Sequence, residues 1–214
     1  MAARFFYSFR AYYFWALMSP EPTGKIIIIT APSGSGKTTL VKRLLTACPG
    51  LIFSVSACTR NPRGGEQDGR DYYFLGAELF KQKIAEDAFI EWEMVYEGKY
   101  YGTLKTELER IWALDHAPLV DIDVKGALSI QEKYPDNSLT IFIQAPSMEA
   151  LRERLEKRGT ETVHTLEERL SKANFEISFA TQFDKIIVND DINEATDELV
   201  DTVKNFLSAP VATV

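Results

Sequence analysis

The segment Lys25-Ile26-Ile27-Ile28-Ile29-Thr30 constrains the fold of this chain more than any other. Consecutive β-branched residues without polar alternation make a strand that must be buried on both faces. A parallel sheet with helices above and below it provides that environment. A Gly/Ser-rich loop follows, and then Thr38–Ala47, where Leu40, Val41, Leu44 and Leu45 recur at helical spacing until Pro49-Gly50 ends the run. Further buried strands are predicted at Leu51–Val55, Leu119–Asp123, Thr140–Gln144 and Lys185–Asn189. Helical stretches separate them, near Lys105–Leu114, Gly126–Tyr134, Ser147–Lys157, Thr165–Thr181 and Asn193–Leu207. This alternation predicts a three-layer α/β fold around a central parallel sheet.

The chain has 214 residues, 45% of them apolar, enough to bury one such core. Its net charge of −7 argues against general binding to a nucleic-acid backbone, which requires a basic face. Any phosphate chemistry must therefore rely on locally placed cations. Cys48 and Cys58 form no C-x-x-C pair, which excludes a disulfide framework and a zinc site and predicts a reducing, cytoplasmic setting. Residues 1–17 are rich in aromatics, with Arg4 and Arg10 but no acidic residue. The apolar run Ala11–Met18 falls far short of the ~20 residues a membrane span needs, and no small-x-small cleavage site follows it. The expectation is that residues 1–23 are a disordered extension, or that translation begins at Met18.

The loop Ala31-Pro32-Ser33-Gly34-Ser35-Gly36-Lys37-Thr38, with Thr39 next, lies between the buried strand and the helix. That is the setting of a P-loop, in which small residues let successive backbone N–H groups point at a phosphate and the helix N-terminus adds partial positive charge. Lys37 would reach the β- and γ-phosphates of ATP, and the Thr38 hydroxyl would ligate Mg²⁺. Ala31 stands where the pattern G-x-x-x-x-G-K-[ST] has its first glycine. A tight turn with an incidental lysine is the plainer alternative. Gly34, Gly36, Lys37 and Thr38 together, directly after the isoleucine strand, argue against it.

Two stretches break the strand–helix rhythm. Thr59–Thr103 opens with a charged, turn-rich loop and continues through Asp71-Tyr72-Tyr73-Phe74 and a short helix at Ala77–Glu86. It closes with the aromatic, strand-like Phe89–Tyr101, interrupted at Glu97-Gly98. This reads as a small β-rich insertion. The second stretch, Arg154–Arg169, is short, charged and centred on Arg158-Gly159-Thr160.

Five segments in register carry a resemblance. They are Ser54-Val55-Ser56-Ala57-Cys58-Thr59-Arg60-Asn61-Pro62-Arg63-Gly64-Gly65-Glu66 followed by Asp71-Tyr72; Phe89-Ile90-Glu91-Trp92; Tyr100-Tyr101-Gly102-Thr103; Asp121-Ile122-Asp123 with Gly126; and Ile187-Val188-Asn189-Asp190-Asp191. In order and spacing, from about Gly24 to Leu207, they resemble the guanylate kinases, which move the γ-phosphoryl group of ATP onto GMP. The resemblance implies a core of residues 24–58, 105–153 and 173–214, a GMP-binding insertion at 59–104 and a lid at 154–172. Two departures stand out. The spacing from Glu91 to Tyr101 is one residue longer than the family's, an excess expected in the Glu97-Gly98-Lys99 turn, and Lys125 replaces a common glutamine.

The chemistry agrees with the resemblance. A nucleoside monophosphate carries a dianionic phosphate, which forked guanidinium groups bind bidentately. Arg60 and Arg63 lie on one loop and can converge on it, with the Tyr72 and Tyr101 hydroxyls as neutral donors. The family's matching positions hold the GMP phosphate. Guanine offers two adjacent donors, N1–H and the 2-amino group, which one carboxylate can accept, whereas adenine has an acceptor at N1. The family places Glu91 there, supported by Ser56, Thr103 and Asp123. Such a site can reject the wrong base by roughly 10⁴-fold, because its buried polar groups would be left unpaired. Asp121 is a candidate for Mg²⁺, directly or through water, with capping of a helix as the alternative. Arg154, Arg158 and Arg169 match the family's lid cations, which gather around the transferring group and exclude water. Asn189 falls where the family contacts the adenine side of ATP.

Two rivals differ in testable ways. Another P-loop kinase would accept a different phosphorylated acceptor. A catalytically silent guanylate-kinase-like scaffold module would tend to lack the loop lysine and the lid cations, which this chain retains as Lys37, Arg154, Arg158 and Arg169. The sequence therefore predicts an enzyme using ATP, GMP and Mg²⁺, without nucleic-acid or membrane partners and with its oligomeric state open.

Overall fold

Strand β1 (Ile26–Thr30) lies at the centre of a five-stranded, all-parallel sheet of order β2-β7-β1-β8-β9, as the isoleucine run predicts. The computed structural model describes residues 24–157 and 163–210. The N-terminal extension and Arg158 lie outside the described residues. The other strands of this sheet are β2 (Leu51–Phe53), β7 (Ala117–Asp121), β8 (Ser138–Gln144) and β9 (Lys185–Val188).

Successive side chains of a strand point to opposite faces, and β1 feeds two separate cores in this way. Ile27 and Ile29 pack with Leu40, Val41 and Leu44 of α1 (Lys37–Ala47) and with Leu199 and Val203 of α7 (Ile192–Ser208). Ile26 and Ile28 pack on the other face with Leu108 of α3 (Lys105–Trp112) and with Val124, Ala127 and Ile130 of α4 (Val124–Lys133). All four isoleucines are fully buried. Burial of each contributes about 1.5–3 kcal/mol. The middle strand is thus fixed before any functional group is considered.

The segment between β2 and α3 forms a second sheet of order β4-β3-β6-β5, with β3 at Ala57–Cys58, β4 at Tyr73–Phe74, β5 at Phe89–Tyr96 and β6 at Lys99–Leu104. Helix α2 (Gly76–Ala85) closes it by burying Phe80, which stacks on Phe89 at 4.4 Å and on Tyr100 at 5.6 Å between ring centroids. Gly102 permits the close pairing of β5 and β6, since a Cβ there would meet the Glu91 carbonyl oxygen at 2.7 Å and the Trp92 Cβ at 2.8 Å.

Glu107 joins the two sheets. Buried at the start of α3, it accepts from the Val55 backbone N–H (3.1 Å), the Tyr73 hydroxyl (2.9 Å) and both faces of the Arg110 fork (2.8 and 2.9 Å). These bonds hold its carboxyl below the usual carboxylate range against the opposing effect of burial. Strand β2 stops at Phe53 and not at Val55 as the apolar pattern predicts, although the Ser54 N–H still donates to the Leu119 carbonyl at 2.9 Å. Helices α5 (Met148–Lys157) and α6 (Val163–Ile177) pack on each other through Leu151, Leu155, Leu166 and Leu170.

Candidate active site

The carboxyl ends of β1 and β7 open on a cleft of about 530 Å³ that runs from the phosphate loop to the second sheet. In open parallel sheets, ligands bind at this edge. Lys37, Thr38, Ser56, Tyr72, Glu91 and Tyr101 line it, as do Asp121, Asp123 and Arg169.

On one wall, Gly36 takes φ +91°, a left-handed conformation that favours glycine, and a Cβ there would lie 2.2 Å from the Asn189 amide nitrogen. Asn189 is buried at the end of β9 and donates to the Ser35 carbonyl at 2.7 Å. Its Oδ1 and the Ser35 hydroxyl are buried without a partner. In this structure Asn189 is therefore a brace behind the loop, and neither it nor Ser35 lines the cleft. Thr39 is exposed on α1 and also lies off the cleft. Lys37 forms an ion pair with Asp121 across the base of the cleft. Arg169, on α6, donates to the Ser33 hydroxyl at 3.0 Å, and Arg154, on α5, to the Asn189 carbonyl at 2.9 Å.

The opposite wall carries carboxylates. Glu91 is only 8% exposed and accepts from the Thr103 hydroxyl at 2.7 Å. Burial is the main cause that pushes its carboxyl up to about 7, and the Asp123 charge adds to this. Asp123 lies beyond the end of β7, which stops at Asp121, and not within the strand as expected. Its Oδ1 caps α4 by accepting the N–H groups of Lys125 and Gly126, both at 2.9 Å. The helix-capping role considered for Asp121 thus falls to Asp123. Burial opposes ionisation of Asp123, but hydrogen bonds from Glu93, Gly126 and Lys125 prevail and lower its pKa.

Arg60 lies behind this wall. Its guanidinium grips Glu66 bidentately at 2.6 and 2.8 Å and stacks over Tyr72 at 4.7 Å from the ring centroid. Hydrogen bonds from Arg60 and from the Arg63 backbone hold the Glu66 carboxyl at about 2. Arg63 is exposed on the same turn. Residue-type reasoning passed over Glu66 as the partner of Arg60, and also Glu93, Lys172 and Glu176, all three on the cleft wall. The strand alternation shared by Glu91 and Glu93 was a usable signal for Glu93. Between Glu91 and Tyr101 the β5–β6 ladder carries a register shift between Met94 and Tyr96.

A phosphate loop facing a buried, carboxylate-rich acceptor wall across one cleft defines a kinase of the nucleoside monophosphate class. The family follows from comparison with known proteins. The guanylate kinase family model matches residues 23–206, and the chain belongs to that family. The guanylate kinase of Chlorobium chlorochromatii (strain CaD3) is 50% identical over 190 residues, covering 89% of this chain and 100% of its own. That of Porphyromonas gingivalis (strain ATCC BAA-308 / W83) is 48% identical over 185 residues, covering 86% and 98%. The crystal structure of guanylate kinase from Anaplasma phagocytophilum aligns with a TM-score of 0.68 at 31% identity over 89% of both chains.

Proposed function

We propose that this chain transfers the γ-phosphoryl group of ATP to GMP, giving ADP and GDP. The observation that carries this reading is Glu91. A buried carboxylate aimed into the cleft opposite a phosphate loop suits the adjacent N1–H and 2-amino donors of guanine. Ser56, Thr103 and Asp123 complete the base site, with Thr103 fixing Glu91 from behind. Arg60, Arg63, Tyr72 and Tyr101 hold the GMP phosphate, and Glu66 keeps the Arg60 fork preorganised.

The loop from Ala31 to Thr38 holds the ATP phosphates through its backbone N–H groups. Lys37 follows the transferring charge, and Arg154 and Arg169 add cations beside the loop. Phosphoryl transfer needs alignment and charge stabilisation more than covalent chemistry from the protein, and this set of residues provides both. The oxygen donors suit Mg²⁺. Among the described residues no group of three or more His, Cys, Asp or Glu gathers as a metal cage. Mg²⁺ commonly takes one or two protein oxygens together with phosphates and water. Thr38 and Asp121 are the two that would hold it. When bound there, the ion would supply positive charge to offset that of the phosphates.

The test is a coupled assay of ADP formation with ATP and Mg²⁺, offering GMP, AMP, CMP, UMP and dTMP separately. Turnover should favour GMP strongly. Equal turnover with another acceptor, or none with any, would overturn the reading.

A further inference from the structure

The excursion that carries Arg60 and Arg63 leaves and re-enters the fold at one neck. It departs through Ser54-Val55-Ser56, after β2, and returns at Tyr73, the first residue of β4. Its two ends touch there. The Tyr73 N–H donates to the Ser56 carbonyl at 2.9 Å, and β3 pairs with β4 only through Ala57 with Tyr73 and Cys58 with Phe74. A ladder well below the length of an ordinary strand holds the neck weakly by itself.

One side chain from outside the excursion grips both ends. Glu107, on the first turn of α3 and 2% exposed, accepts the Val55 N–H on Oε1 at 3.1 Å and the Tyr73 hydroxyl on Oε2 at 2.9 Å. Arg110, one turn later on the same helix, closes on both oxygens at 2.8 and 2.9 Å and fixes the plane of the carboxylate. Helix α3 is itself seated on the main sheet through Leu108, which packs with Ile26 and Ile28 of β1. Glu107 thus ties the neck to the strand that carries the phosphate loop.

Each residue it grips is the neighbour of one on the cleft. Val55 precedes Ser56, Tyr73 follows Tyr72, and both Ser56 and Tyr72 line the cleft. Successive side chains of an extended chain point to opposite sides, so anchoring the Tyr73 ring behind the sheet turns the Tyr72 ring forward. There the Tyr72 ring lies under the Arg60 guanidinium, 4.7 Å from its centroid, and edge-on to Tyr101 at 6.1 Å. The grip of Glu107 therefore reaches Arg60 through one peptide link and one ring contact.

We propose that Glu107 is a positioning residue for the phosphate end of the acceptor site: by pinning Val55 and Tyr73 to α3, it sets where Tyr72 and Arg60 stand relative to the phosphate loop. The inference rests on the reading of GMP as acceptor. It gives Glu107 no part in telling one base from another and none in binding ATP.

The experiment centres on Tyr73→Phe, which removes one oxygen and leaves the ring and the β3–β4 ladder in place. KM for GMP should rise about fivefold with a smaller fall in kcat, while KM for ATP stays within about twofold. The ratio of kcat/KM for GMP to that for inosine monophosphate should keep its wild-type value, because both acceptors carry the same phosphate. Glu107→Gln should raise KM for GMP at least as far, and the double variant should add little to it, since both changes break one link. Melting curves of the same preparations report the fold. A Tyr73→Phe enzyme with a lowered Tm and an unchanged KM for GMP would reduce Glu107 to a stabilising brace and overturn the inference. A joint rise of KM for ATP and GMP, or effects that add in full in the double variant, would overturn it as well. Failure of the underlying reading shows separately, as wild-type enzyme that does not prefer GMP among the common nucleoside monophosphates.

Discussion

The two walls of the cleft are built by different means. The nucleotide wall is one continuous piece of backbone, Ala31 to Thr38, held by the strand before it, the helix after it and the Asn189 brace behind it. The wall proposed to take the acceptor is assembled from side chains at five separate places: Ser56 after β2, Tyr72 before β4, Glu91 on β5, Tyr101 on β6, and Asp123 at the cap of α4. The difference follows from what each wall must recognise. Phosphates are alike in every nucleotide, and a row of backbone N–H groups suffices for them. A base is told from its rivals by the direction of a few donors and acceptors. That requires side chains whose angles are set by distant parts of the chain.

The largest expected effect breaks the first wall and spares the second. Lys37→Ala should lower kcat by ~10³-fold or more, as removal of a preorganised charge from a phosphoryl-transfer site does. GMP binding without ATP should stay within about threefold, because Lys37 pairs with Asp121 and not with the base site. Calorimetric titration of GMP into the variant checks this, and a large loss of GMP affinity would show that the walls are not independent.

A pair of glycine substitutions sharpens the same contrast. Gly36→Ala puts a methyl group on a residue at φ +91°, 2.2 Å from the Asn189 amide. It should destabilise the fold by about 2 kcal/mol, seen as a fall in Tm of ~4–8 °C. Gly126→Ala lies within helix α4 and introduces no such backbone strain, but its Cβ would stand 2.9 Å from Glu91 Oε2. Its Tm should move little, while KM for GMP rises ~tenfold through displacement of the carboxylate. Melting curves and GMP kinetics on both variants give the test. The outcome that breaks the comparison is a Gly126→Ala protein that loses stability and keeps its GMP affinity.

This contrast also explains what the sequence could disclose. The isoleucine strand and the glycine-rich loop are contiguous, and their physics is local, so both could be read directly from residue order. Tyr72, Glu91 and Asp123 are far apart in the chain, and they meet at the cleft through the β3–β4, β3–β6 and β5–β6 pairings and the β1–β7 ladder. Register with a known family pointed to them, whereas spacing alone could not. Glu66 and Glu176 remained hidden because each pairs with another side chain: Glu66 with Arg60, and Glu176 with Lys172 at 3.7 Å. The misplacement of Asp123 has the same origin. Nothing in Asp121-Ile122-Asp123 says where the ladder ends and the helix cap begins.

The smallest expected effect concerns pH and separates the two walls by sign. In the free protein the Glu91 carboxyl is raised to about 7 from an ordinary value of 4.5, mainly by burial. A raised carboxyl favours the folded state fully below the unfolded pKa, and that contribution is lost as pH rises toward 7. Glu93, also raised to about 7, adds a slope of the same sign. Stability of the free protein should therefore fall between about pH 4.5 and 7 on account of these two groups. GMP affinity should move the other way, because guanine's donors need the ionised form of Glu91. KM for GMP should thus rise by at most about tenfold from pH 8 to pH 6, beyond any change in KM for ATP. In Glu91→Gln the part of both trends due to Glu91 should vanish, since the amide does not titrate. KM for GMP and Tm, measured in parallel across this range for both proteins, provide the check. A wild-type KM that ignores pH while Tm follows it would mean that Glu91 is buried for the fold and not aimed at the base.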